Sequence, residues 1–238
     1  DLPVVYFFRK NDSLLHFVKP VFDRRVFLKT CTNGSSELMT NLSMSLVNAL
    51  YNLQLMKIAG ENGVAAYGAV MYVNFIFVAT FLGYAIGCAP VISYHYGAGN
   101  HAELKNLYKK SMSIILVWGV ILFGAAQLLA PVLSKIFVGY NTGLYAMTLH
   151  GFRVYAIAFL IIGINIFGSS FFTALNNGLI SAVISFLRTL MFQVIMVLTL
   201  PLWFGINGIW SAISVAEALT LIMTTTFFVR QKDKYHYL

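Results

Sequence analysis

The stretch GYAIGCAPVISYHYGAGNHAELKNLYKK, Gly83 to Lys110, decides how the chain is read. Its first half is apolar, with small residues at Gly83, Gly87 and Ala89, and Pro90 then removes a backbone donor. Gly97-Ala98-Gly99-Asn100 turns the chain, with Gly97 and Gly99 supplying the backbone freedom. Lys105, Lys109 and Lys110 follow, ahead of a second apolar run. Two apolar runs joined by a glycine turn with lysines beside it read as a membrane hairpin, the turn on the cytoplasmic side.

The totals place the whole chain in the same class. Of 238 residues 59% are apolar and only 10% are charged, and the mean hydropathy is +0.77. A soluble domain carries about a quarter charged residues, so the expected fold class is an all-α, polytopic membrane protein. The runs do not alternate as outer-membrane strands would. The net charge of +8 lies in loops and terminal segments. That is a membrane-orientation pattern, and no nucleic-acid partner is expected. Cys31 and Cys88 sit in apolar context without metal spacing and read as packing residues. Neither a metal nor a cofactor is expected. With no nucleophile elbow and no phosphate loop, the chain reads as a non-enzyme. The start, DLPVVYFFRK, has neither an initiator Met nor signal-peptide order, and reads as the interior of a longer protein.

Taken in order, residues 1–25 read as an amphipathic connector at the cytoplasmic membrane surface. The basic segment 9–29 carries Arg9, Lys10, Lys19, Arg24, Arg25 and Lys29 against Asp12 and Asp23. Residues 26–229 are expected to form six transmembrane helices: about 31–58, 64–94, 101–130 (ended by Pro131), 144–175, 179–204 and 209–229. Residues 230–238 form a charged cytoplasmic tail. Six spans put both termini on one side. The basic connector, Lys105, Lys109, Lys110, Arg230, Lys232 and Lys234 share that side, against Lys57 and Lys135 on the other. Both termini are therefore expected in the cytoplasm, in a plasma or inner membrane.

Ionisable groups inside a span are costly and need a partner or a purpose. Arg188 and Glu217 fall near mid-depth of the fifth and sixth spans. They either lock the two helices as a pair or line an aqueous cavity and titrate during transport. Glu37 opens a polar face in the first span. Asn41, Ser45, Asn48 and Asn52, spaced four, three and four, form one helical stripe that has to face other helices or water. Glu37, with Asn41 and Asn48, is the candidate for cation binding, and interhelical hydrogen bonding is the other reading of the same stripe. Arg153, near the outer end of its span, snorkels. Asn74 and Asn165 are lone intramembrane amides. The aromatic second span, Tyr67 among its residues, offers ring faces to cations. Tyr67, Asn74 and Asn165 are the candidate cavity residues, and packing is the alternative for each. His95 and His101 flank the glycine turn at the interface.

The segments NGSSELMTNLSMSLVNALYNLQLMKIAGENGVAAYGAVMYV, GYAIGCAPVISYHYGAGNHAELK and FGINGIWSAISVAE resemble the multidrug and toxic compound extrusion (MATE) transporters over about residues 20–238. The resemblance implies the C-terminal six-helix lobe of a twelve-helix protein, whose N-terminal lobe would be the missing partner. It implies a secondary active transporter that exports drugs or amphipathic organic cations by antiport with Na⁺ or H⁺. Glu37 matches the family's coupling glutamate in the seventh helix. Where some members carry an aspartate in the tenth helix, this chain has Asn165. Gln54 stands where the first-lobe pattern has an acid, so no aspartate is carried over there. Two other functions remain. One is a lipid-linked saccharide flippase of the same superfamily, for which Arg153 and Arg188 are the available basic residues. The other is a membrane subunit that interacts without transporting.

Overall fold

A computed structural model describes residues 22–237, and for residues 26, 29, 30 and 32–40 the backbone alone. Arg9, Lys10 and Lys19 of the connector and the side chain of Glu37 thus lie outside the described residues. By packing the chain divides into Asp1–Ser35 and Ser36–Leu238. In the first unit, Asp23 Oδ1 accepts the Arg25 backbone N–H at 2.7 Å and starts a helix. The rings of Phe22 and Phe27 meet there, 5.5 Å between centroids.

The described chain is helical throughout: α1, Arg24–Gly97; α2, His101–Val138; α3, Thr142–Ala174; α4, Gly178–Phe204; α5, Ile206–Tyr235. A 3₁₀ turn at Ala156–Ala158 interrupts α3, and a π turn at Leu187–Met191 interrupts α4. Among the described residues five helices are long and apolar enough to cross a membrane, where the sequence reading expects six. The difference lies in α1. Its apolar part, Asn41–Gly97, is 57 residues, about 85 Å if straight at about 1.5 Å per residue.

It is not straight. Gly60 has φ 63° and ψ −155°, a conformation glycine reaches without a Cβ penalty. Tyr67 Oη donates to Asn48 Oδ1 at 3.0 Å, and the Tyr51 and Tyr67 rings stack at 4.9 Å. On a straight helix residues 48 and 67 would stand about 28 Å apart. The chain therefore doubles back at Gly60, and α1 is a hairpin of two helical arms.

One proline expectation is corrected. Pro131 does not end its helix: α2 runs on to Val138, while Pro90 lies within α1 as the span 64–94 expects. A proline forfeits one backbone bond, and in an apolar bundle neighbouring groups and the rest of the ladder offset that loss. The loop expected after Pro131 shrinks to residues 139–141. Gly97 is also not the residue that needs glycine: it closes α1, and Gly99, at φ 68°, makes the turn.

Asparagines start three of the helices. The Oδ1 of Asn100, Asn141 and Asn177 accepts the N–H of Glu103, of Gly143 and Leu144, and of Ile180. Each answers a backbone donor that the first helical turn leaves unpaired.

α3 is the central helix. Buried residues make up 67% of its apolar window, against 17% for α1 and α4, 22% for α2 and 39% for α5. Small residues let its neighbours approach. A Cβ on Gly151 would lie 2.5 Å from the buried Trp210 ring of α5, and one on Gly168 2.5 Å from Thr224. Close approach at small residues is how membrane helices gain packing without a hydrophobic drive. Gly151→Ala is expected to cost about 1–3 kcal/mol by overpacking against Trp210. A lowered detergent-unfolding midpoint, read from tryptophan fluorescence, checks this.

One end of the bundle is closed by polar and aromatic contacts. Ser93 Oγ donates to the Ala174 carbonyl at 2.9 Å, and Asn177 Nδ2 to Tyr235 Oη at 2.9 Å. His236 adopts a left-handed conformation at the end of α5. Tyr237 then folds back among Tyr108, Phe171 and Phe228, its hydroxyl donating to the Phe228 carbonyl at 2.9 Å. Burial holds the Tyr237 phenol above its ordinary range, so it stays neutral in the packed tail.

Candidate functional site

Glu217 is fully buried, halfway along α5. A carboxylate in that position is tolerated only if its oxygens are answered. Arg188 of α4 donates from Nε to Oε1 at 2.8 Å. Asn165 of α3 donates from Nδ2 to Oε2 at 2.7 Å and to the Glu217 backbone carbonyl at 2.9 Å. Three helices are thus joined at one carboxylate. It is the one ion pair among the described residues.

Local backbone aims the arginine. Arg188 lies in the π turn Leu187–Met191, where the widened turn displaces side chains from ordinary helical register. Its side chain is 18% exposed, against 1% for Glu217. Nε is committed to the carboxylate, and part of the side chain stays exposed. The amide of Asn165 has a fixed sense, because both groups that Nδ2 meets are acceptors. Oδ1 therefore points elsewhere, buried and without a donor.

Several tyrosines are buried in the same bundle. Tyr51 of α1 and Tyr155 of α3 are both buried in the core. The Tyr51 hydroxyl is buried with no partner. Tyr67, stacked on Tyr51, extends the cluster to Asn48. Two polar groupings thus stand in the bundle, Asn48–Tyr67–Tyr51 in the hairpin α1 and Glu217–Asn165–Arg188 between α3, α4 and α5.

The candidates named from sequence fall as follows. Arg188 and Glu217 meet, and Asn165 joins them. Asn48 and Tyr67 meet each other. Asn41, Ser45, Asn48 and Asn52 lie on the exposed side of α1, with Ser45 donating to the Asn41 carbonyl and Asn52 to that of Asn48. Asn74 is half-buried, and its Oδ1 has no partner. Glu37 is placed on the α1 backbone, its side chain outside the described residues. Arg153 is exposed, and its carbonyl accepts from Gln127 Nε2 at 3.0 Å.

Sequence reading missed Tyr51 and Tyr155, whose apolar neighbours make them look like ordinary core rings. It also missed a set of hydroxyls between α3 and α4. Ser169 Oγ meets Ser181 Oγ at 2.9 Å and Ser185 Oγ at 2.8 Å, and Thr173 Oγ1 donates to Ser181 Oγ at 2.6 Å. The signal was there: Ser169 and Thr173, like Ser181 and Ser185, are spaced i and i+4 on consecutive helices.

Comparison with known proteins decides the family. The MatE family model matches residues 38–199, more than half of the chain. The chain belongs to the MatE family. No curated protein matches the sequence. Among solved structures, a MATE in complex with MaL6 superposes with a TM-score of 0.88 at 19% identity, over 100% of this chain and 54% of that one. The outward-facing conformation of a multidrug resistance MATE family transporter of the MOP superfamily gives 0.87 at 19% identity, over 99% and 53%. A MOP superfamily transporter from Pyrococcus furiosus, described as having a binding pocket of reverse polarity, gives 0.86 at 19% identity, over 99% and 53%. The MatE chain therefore spans about half the length of the solved structures it matches. It is a multi-pass membrane protein of a transporter family.

Proposed function

We propose that this MatE chain is the C-terminal half of a secondary active transporter that exports drugs or amphipathic organic cations in exchange for Na⁺ or H⁺. The carrying observation is the buried centre Glu217–Arg188–Asn165, at mid-depth in a helical bundle of a transporter family. Membrane proteins rarely keep charges at that depth without a transport or coupling role. In this reading the two arms of α1 are separate crossings, which makes six. The exposed stripe Asn41–Ser45–Asn48–Asn52 is too polar for lipid and faces the other half or a water-filled path between the halves.

Orientation follows from charge. The turns at Gly97–His101 and at residues 175–177 lie at the same end as the C-terminus, as Ser93–Ala174 and Asn177–Tyr235 require. Lys105, Lys109, Lys110, Arg230, Lys232 and Lys234 collect there, with Lys57 and Lys135 toward the other end. That end is assigned to the cytoplasm of a plasma or inner membrane. A flippase for lipid pyrophosphates would need unpaired basic groups, and Glu217 already matches Arg188. This favours antiport of cations over that alternative.

The test is export of a fluorescent organic cation by the chain joined to its other half in proteoliposomes, under imposed Na⁺ or H⁺ gradients. Export driven by either gradient is expected, with none from the 238-residue chain alone. Glu37→Gln is expected to weaken the ion dependence. A mutant with unaltered export and unaltered ion dependence would remove Glu37 from the coupling site.

A further inference from the structure

Two histidines meet where the start of α2 and the end of α5 come together, and they have no part in the proposed transport. His101 is the first residue of α2, directly after the Asn100 cap. His236 follows the last residue of α5. Their rings lie 4.9 Å apart between centroids, at 70° to one another. Both residues are exposed. Of the other described histidines, His150 spends its ring on Asn207 at 2.7 Å, and the ring of His95 meets that of Tyr94. The rings of His101 and His236 have each other and water.

The backbone on both sides of the pair is held. Tyr235, before His236, is buried, takes a bond from Asn177 Nδ2 and meets the ring of Tyr96. Tyr237, after it, is buried against Tyr108, which stands about two helical turns beyond His101 on α2. So α2 and the tail touch twice, at Tyr108–Tyr237 and at His101–His236. His236 takes a left-handed backbone, φ 54° and ψ 38°, with its N–H on the Lys232 carbonyl at 2.8 Å. That conformation is uncommon outside glycine. Here it turns the chain so that Tyr237 packs inward and the His236 ring comes to His101.

The separation suits a shared ion. A metal bound to an imidazole nitrogen at about 2.0–2.1 Å stands about 3.1–3.2 Å from the ring centre. Two ring centres 4.9 Å apart then subtend about 100° at one ion between them. That angle lies between the right angle of octahedral or square ligands and the tetrahedral angle. Among the described residues no third His, Cys, Asp or Glu joins the pair, so water fills the remaining positions. Imidazole suits the borderline ions Zn²⁺, Ni²⁺ and Cu²⁺, whereas Mg²⁺ and Ca²⁺ take oxygen ligands. Lys232 and Lys234 precede His236. A cation held by charge alone gains little beside them, and the nitrogen lone pairs have to supply the bond.

We propose that His101 and His236 form a two-histidine site for a borderline divalent transition-metal ion, which clasps the tail after α5 to the start of α2. The site stands about 28 Å along α5 from Glu217 and does not depend on what is exported. Because the two rings converge only in the folded chain, binding stabilises that fold by linkage.

Titration of Cu²⁺ and of Ni²⁺ into the 238-residue chain, carrying no histidine tag, in lipid nanodiscs tests this. One ion per chain is expected, and electron paramagnetic resonance of the Cu²⁺ form should show two imidazole nitrogens. His101→Gln and His236→Asn each leave a single ring. Each is expected to weaken binding by about a hundredfold, since the second ring of a held pair acts at high effective concentration. Asparagine tolerates the left-handed backbone at 236, so that variant keeps the tail in place. His150→Gln is the control and should bind as the parent does. Ni²⁺ should raise the thermal unfolding midpoint of the parent and of neither single-ring variant. Affinity unchanged in His101→Gln or in His236→Asn overturns the site. So does a Cu²⁺ spectrum with one nitrogen, or an equal loss of binding in His150→Gln. An unshifted midpoint in the parent overturns the clasp. Should a variant fail to fold, the nitrogen count of the parent decides alone.

Discussion

Arg188→Met is expected to destabilise the bundle by about 3–5 kcal/mol, the cost of leaving a buried carboxylate uncompensated. Glu217 is 1% exposed at its side chain, and among the described residues its ion-pair partner is Arg188. Asn165 alone would then answer a charge that two groups now share. The reverse substitution, Glu217→Met, is expected to cost less. Arg188 is 18% exposed, and its long side chain can carry the charge to the bundle surface. The double variant Arg188→Met/Glu217→Met should recover most of the loss, because apolar side chains of similar volume replace a buried pair at little cost. Unfolding in mixed micelles, followed by circular dichroism, gives all three values. Equal costs for the two single variants would mean that Arg188 has no route to the surface and is as confined as its partner.

Asn165→Leu is the second large effect. It removes the donor to Glu217 Oε2 and the donor to the Glu217 carbonyl together. Hydrogen bonds to charged groups contribute about 1.5–3 kcal/mol, and the backbone bond adds about 1. A loss of about 3 kcal/mol is expected in the same unfolding assay. Asn165→Asp should cost more, although it is closer in shape. It loses both donations and sets a second carboxylate against Glu217, with Arg188 as the one cation for two anions. An Asn165→Asp variant as stable as the parent would show that the centre rearranges to admit a second acid.

Much of the architecture was open to sequence reading because membrane helices are written in composition. Runs such as those around Gly83–Lys110 and Ile206–Val229 have no soluble alternative. The turn read at Gly97–Asn100 falls where Gly99 takes a positive φ and Asn100 caps α2. Proline misled the reading at Pro131, since a breaker in water is a tolerated local defect inside an apolar bundle. That Gly99 alone of the two glycines takes the positive φ was hidden for another reason: composition does not say which of them does.

The sequence by itself determined the class of the chain, its apolar helices, its charge asymmetry and the mid-depth of Arg188 and Glu217. Each of these depends on local composition and helical rise alone. Only the tertiary structure decided that Asn165 turns its amide to the Glu217 carboxylate, that a π turn aims Arg188 at the same group, and that Tyr67 folds back onto Tyr51 and Asn48. Those contacts join residues up to 52 positions apart, and packing density chooses among many partners that a polar residue could find. The set of hydroxyls between α3 and α4 lies between the two cases. Its spacing is local to each helix, and its meaning came from the crossing of α3 and α4 that lays one row of hydroxyls against the other.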